Sequence, residues 1–159
     1  MEHQYIIWVM TFAYAAHAFE ERILNWNLWA KETFGINVTW EMFYCANFTV
    51  IILGICCSSV GWRYPAFALS LPALALINAV FFHILPTVIK RKFSPGLITS
   101  LFLFLPIGFL CYKFASDDRV LNSETFLISM LFGIVIMSFP FLLLQIKKKQ
   151  ENRTGKSNM

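Results

Sequence analysis

Apolar runs long enough to cross a bilayer recur along this chain and restrict it to very few folds. Residues 39–60, 65–89, 94–115 and 123–146 are each dominated by Leu, Ile, Phe, Val and Ala. At 1.5 Å per residue, each reaches across a hydrocarbon core about 30 Å thick. Residues 5–25 form a further run that ends in charge. Lipid offers no hydrogen bonds to a bare backbone, so such runs are expected to be helices. Overall the sequence is 58% hydrophobic and 14% charged, with a mean hydropathy of +0.62. These values lie outside the range of water-soluble domains and leave no stretch for a separate one. The expected fold class is therefore an all-α integral membrane protein, a bundle of about five transmembrane helices.

Punctuation between the runs supports that division. Tyr5 and Trp8 suit an interfacial belt at the outer end of the first span. Residues 22–34 mix Arg22, Lys31 and Glu32 with Trp26, Leu28 and Trp29, the pattern of a short interfacial helix that Gly35 ends. The alternative is a frayed helix end and a loop. Thr39 is a candidate N-cap, and Glu41 in the first turn suits the helix dipole. Pro86, Pro106 and Pro140 each remove a helical hydrogen bond and predict bends. The N-terminus has neither a basic region nor a small-residue cleavage site, so no removable signal peptide is expected. The four cysteines sit in apolar runs without metal-ligand spacing and read as buried or lipid-facing thiols, with a vicinal Cys56–Cys57 redox pair as the alternative.

Basic residues predict the orientation. With five spans, Arg22, Lys31, Lys90, Arg91, Lys92, Lys147, Lys148, Lys149, Arg153 and Lys156 fall on one side, ten in all, against Arg63, Lys113 and Arg119 on the other. The positive-inside rule then puts the N-terminus outside and the C-terminus in the cytoplasm. Residues 1–146 read as one transmembrane domain and residues 147–159 as a basic, disordered cytoplasmic tail. The net charge of +4 reflects this asymmetry and does not indicate nucleic-acid binding.

Ionisable groups inside the spans mark the site. His17, Glu20 and Glu21 occupy one helical arc of about 100° at the end of the first run. Facing lipid they would be costly, so they are expected to face protein, water or a metal. Asn78 and His83 stand in the third run. Five residues turn an ideal helix through about 500°, so these two do not share a face unless a kink or π-bulge brings them together. Measured along their helices, His17, Glu20, Glu21, Asn78 and His83 all arrive about 18–27 Å from the outer ends. Glu41 and Gly96 open their own helices near the same level. The expectation is a buried polar site in the cytoplasmic half of the membrane.

Two imidazoles and two or three carboxylates form a ligand set for zinc, iron or manganese. The expected ligands are His17, Glu20, Glu21 and His83, with Glu20 and Glu21 as catalytic carboxylates and Asn78, Glu41 and Gly96 supporting them. A metal-dependent membrane enzyme acting on a lipid-like or apolar substrate, a hydrolase or an oxidoreductase, fits this set. A metal-ion or proton transporter is the alternative, as is a structural subunit whose polar network packs helices. The implied partners are the lipid bilayer and an apolar substrate, with a homodimer compatible and no nucleic acid.

The motifs carry a family resemblance. His17-Ala-Phe-Glu20-Glu21 resembles the signature of the HXXEE family of small, mainly bacterial integral membrane proteins, and Asn78-Ala-Val-Phe-Phe-His83 resembles its Asn-x-x-x-x-His motif. Phe93-Ser94-Pro95-Gly96 resembles its Tyr-x-Pro-Gly motif, with Phe in place of Tyr. The resemblance implies that these positions form a shared site in a bacterial cytoplasmic membrane protein. It implies no particular activity.

Overall fold

The structure, a computed structural model, describes residues 2–157. Among these residues the fold is all helical, in six stretches. They are α1 (Ile6–Ile23), α2 (Trp26–Phe34), α3 (Trp40–Val60), α4 (Pro65–Lys90), α5 (Leu97–Asp117) and α6 (Ser123–Ser157). Four of them, α3 to α6, are long and apolar enough to cross a membrane. The fifth expected span, α1, does not meet that description. It has 18 residues, and its last turn carries Glu20, Glu21 and Arg22. Those charges lower its apolar character, although the helix packs within the bundle against α3, α4 and α5.

Helix α4 is the centre of the bundle. Its membrane-length stretch is 61% buried, against 28% or less in each of the other three. Small side chains let its neighbours approach, as is usual where lipid tails supply no hydrophobic drive for association. Ala73 on α4 meets Gly133 on α6 so closely that a Cβ at Gly133 would lie 2.9 Å from the Ala73 Cβ. A Cβ at Gly108 on α5 would lie 2.8 Å from the Leu76 side chain. Large apolar side chains such as Phe12, Phe48, Phe81, Phe102 and Leu127 cover the outside. An exposed apolar belt of this extent suits lipid.

The interfacial element expected after the first span is present as α2. Asn25 starts it at φ +54 and Gly35 ends it at φ +69. Helix α6 extends beyond Ile146 through the basic segment to Ser157, where a disordered tail was expected. Lys, Gln and Glu are good helix formers, so the segment continues the helix it inherits. The last two residues of that expected tail lie outside the described residues. All four cysteines are free, Cys57 and Cys111 buried and Cys45 and Cys56 exposed.

One end of the bundle is tied by Asp118, which follows α5. Its carboxylate accepts from the His3 backbone N–H at 3.0 Å, from His3 Nδ1 at 3.1 Å and from Trp62 Nε1 at 2.8 Å. The His3 amide beside it is the main cause that holds the Asp118 carboxyl down at about 2. An ordinary aspartate titrates near 3.9. A folded-state value below the unfolded one contributes stability above that ordinary value and loses it as pH falls towards the folded value. Asp118→Asn is therefore expected to lower the melting temperature at neutral pH. The gap between variant and parent should close as the pH is taken down through about 2, as read by thermal melts in detergent.

Candidate functional site

The local backbone explains how the polar residues meet. Residues Ala79–Ile84 form a π-helical turn inside α4. A π turn closes i→i+5 hydrogen bonds, which brings residues five apart towards one face. Asn78 and His83, separated by five, thereby reach the same site. Pro86 contributes to the distortion, because it cannot donate to the Phe82 carbonyl. That carbonyl instead has the Ser94 hydroxyl at 3.4 Å. A second π turn, Ser100–Phe104, sits early in α5 just ahead of Pro106. It carries Phe104, whose ring lies 4.4 Å from that of His17.

His17 and His83 are fully buried, and Glu21 and Asn78 are only 7% exposed. The two imidazoles lie edge to face with centroids 4.8 Å apart. Glu21 Oε1 is 3.6 Å from His17 Nε2 and 3.5 Å from His83 Nε2. Ligand atoms of all three residues fall within 4.8 Å of one another, so the group could hold a metal ion. Ligands about 2.1 Å from a tetrahedral ion lie about 3.4 Å apart, close to both carboxylate–imidazole spacings.

Hydrogen bonds on the far sides of the rings assign their tautomers. Thr99 Oγ1 donates to Glu20 Oε2 at 2.6 Å, and His17 Nδ1 lies 2.8 Å from the same hydroxyl. With its proton committed to the carboxylate, Thr99 accepts from a protonated Nδ1, leaving a lone pair on His17 Nε2. Asn78 Nδ2 donates to that lone pair at 3.1 Å. His83 Nδ1 lies 3.0 Å from Ser94 Oγ, whose own proton has the carbonyls of Phe82 and Pro95 at 3.4 Å. His83 Nε2 then also carries a lone pair, and it is buried without a hydrogen-bond partner. The unpartnered His83 lone pair and the Glu21 carboxylate oxygen face each other and repel unless a cation or proton lies between them.

Glu20 is placed differently from its neighbour. Its carboxylate accepts from the backbone N–H groups of Gly96, Ile98 and Thr99 at 3.1, 3.2 and 2.8 Å. These are the free donors at the start of α5, so Glu20 caps a helix from outside it. The expectation that Glu20 binds metal beside Glu21 is thus not matched by the placement of its oxygens. Gly96 belongs to the site through its backbone. It adopts φ +95, and a Cβ there would lie 2.6 Å from His83 Cε1 and 2.7 Å from His17 Cε1. Glu41 is exposed in the first turn of α3, near the capping Thr39, and is not brought to the cluster. No sequence motif singles out Thr99, and Ser94 enters the sequence analysis only within the Phe93-Ser94-Pro95-Gly96 motif. A hydroxyl three residues after Gly96, in the first turn of a helix, was the available signal for Thr99.

Residues 8–111 match the pattern of a family described as proteins of unknown function with an HXXEE motif. The chain belongs to that family. The matched segment contains His17, Glu20, Glu21, Asn78, His83, Gly96 and Thr99, and it ends before α6. The chain is also similar to the uncharacterized protein YrkK of Bacillus subtilis (strain 168), with 31% identity over 75 residues. That alignment covers 46% of this chain and 48% of YrkK, so the chain spans about half the length of the curated relative it matches. No solved structure matches. The HXXEE motif thus divides its labour: His17 and Glu21 face the second imidazole, while Glu20 fastens the motif to α5.

Proposed function

We propose that the protein is a metal-dependent membrane enzyme acting on an apolar, lipid-like substrate. His17, His83 and Glu21 would hold one zinc, iron or manganese ion, with a remaining position open to water or substrate. The observation that carries this reading is the convergence of two imidazole Nε2 lone pairs, one unpartnered, on the Glu21 carboxylate. Thr99 and Ser94 hold the Nδ1 protons away from the centre, as outer-shell partners of metal-bound histidines do. A metal with these ligands supplies Lewis acidity and a water that ionises near neutral pH. A largely apolar cleft whose lining includes Glu21 and Asn78 supports delivery of substrate from the bilayer.

Within this reading α1 is a fifth span. The Glu20 and Glu21 carboxylates turn to protein partners, which removes much of the lipid penalty that kept α1 from the apolar set. The basic residues favour an outside N-terminus and a cytoplasmic C-terminus in a bacterial cytoplasmic membrane. A second reading, a metal-free proton relay or packing network, is favoured by Asn78, whose amide already occupies the His17 Nε2 lone pair.

Elemental analysis of detergent-purified protein, beside His17→Ala and His83→Ala, separates the two. About one equivalent of zinc, iron or manganese per chain is expected in the parent and loss of most of it in both variants. A parent that stays metal-free, after chelator-free purification and metal add-back, overturns the metal reading in favour of the relay.

A further inference from the structure

A cleft of about 90 Å³ lies beside the cluster, lined largely by α3 and α6 together with Glu21, Trp26 and Asn78. One water needs only about 15 Å³, so the cleft has room for a chain segment. Met42 and Ala46 line it from α3, Met137 and Leu143 from α6, and Glu21 and Asn78 are among its polar lining groups. Its flanks are bilayer-type surface. Tyr44 and Cys45 beside the α3 wall are exposed, as are Phe141 and Leu142 beside the α6 wall. Both walls belong to helices apolar enough to cross a membrane. Pro140 lies in the α6 wall, where the missing backbone N–H weakens the helix locally.

The cleft also contains a polar signal. Trp26 lines it, and the Trp26 indole N–H is buried without a hydrogen-bond partner. An indole nitrogen can only donate, so the group that completes it must be an acceptor. Leaving such a donor unpaired in a dry site is unfavourable. A pure hydrocarbon chain would leave it unpaired. An acyl chain carries a carbonyl acceptor at its head and fills the apolar walls with its methylenes.

We propose that this cleft is a lateral binding site for the acyl chain of a single-chain membrane amphiphile. The chain enters between α3 and α6, its methylenes lie against Met42, Ala46 and Met137, and its ester or amide carbonyl meets Trp26 beside Glu21 and Asn78. The catalytic consequence rests on the metal-enzyme reading; the binding claim does not.

The test uses full-length protein in nanodiscs and a lysophosphatidylcholine with a diazirine in its acyl chain. Labelled residues are mapped by peptide mass spectrometry, and metal content is read on the same samples. Labelling is expected to concentrate on Met42, Met137 and Leu143 and to be competed by excess unlabelled lysolipid. Ala46→Trp, which fills the cleft, should reduce it at least about tenfold while labelling of outward-facing Leu127 stays unchanged. Leu143→Trp, at the α6 wall, serves should Ala46→Trp not fold. In the parent an acyl competitor should outcompete its ether analogue about fivefold, the worth of one hydrogen bond, and Trp26→Phe should remove that preference. Even labelling over the whole apolar surface, insensitive to both fillers, would mean bulk lipid only and overturn the site. Equal competition by acyl and ether probes in the parent would overturn the carbonyl assignment. Focused, blockable labelling in a metal-free protein would retain the cleft and sink the enzyme reading. Metal retained without focused labelling would do the reverse.

Discussion

Gly96→Ala is expected to unfold the site and to destabilise the protein by about 2–5 kcal/mol. Two separate penalties add at this position. A residue with a Cβ at φ +95 is strained by about 1–2 kcal/mol. The same Cβ would lie 2.6 Å from one imidazole and 2.7 Å from the other. Overpacking of a tight core costs about 1–3 kcal/mol, and neither ring can retreat easily. His83 is fixed by Ser94, and His17 by Thr99 and the Phe104 ring. Gly35→Ala is the control, since Gly35 has φ +69 but nothing within 4 Å of its would-be Cβ. Thermal melts in detergent should show a small loss for Gly35→Ala and a much larger one for Gly96→Ala. Equal losses would mean that backbone strain alone matters and that the imidazoles do not rest on Gly96.

Glu20→Ala carries the second large effect, about 2–4 kcal/mol of stability. It leaves three backbone donors at the start of α5 without their charged acceptor, and charge-assisted bonds contribute about 1.5–3 kcal/mol each in sheltered sites. Partial rescue by water keeps the sum below three full bonds. The same substitution frees the Thr99 proton, and with it the His17 tautomer. Affinity for a bound metal should therefore fall about 10–100-fold, the range for outer-shell partners. Thr99→Val provides the discriminating measurement. It should reproduce the loss of metal affinity with a smaller loss of stability, because the Glu20–backbone bonds survive. Were Glu20 a direct ligand, Thr99→Val would leave metal content near the parent value while Glu20→Ala abolished it.

These two residues also show how a motif can be legible while its roles are not. Glu20 and Glu21 are adjacent, identical in type and equally placed on the helical arc with His17. Pattern alone treats them as one pair. They part because α5 begins with open N–H groups within reach of Glu20, and because the second imidazole arrives beside Glu21. Both facts depend on segments more than sixty residues away. Glu41 shows the converse, since a similar estimated depth did not bring it to the cluster. Depth along a helix axis says nothing about which way a side chain faces around it.

Local chemistry by itself determined that the chain is helical and apolar. Backbone groups must be satisfied within each run, and the runs have the length of a bilayer. It also determined where polar groups concentrate, because ionisable side chains next to lipid need partners, and it identified Asn78 and His83 as needing a helical irregularity to meet. Tertiary structure alone decided the rest. The Thr99 and Ser94 hydroxyls that set the tautomers, the contact of Gly96 with both rings and the cleft between α3 and α6 arise between helices. Packing sets the rotation of each helix about its own axis. That rotation has no local signature, and it selects which of two neighbouring carboxylates meets the histidines.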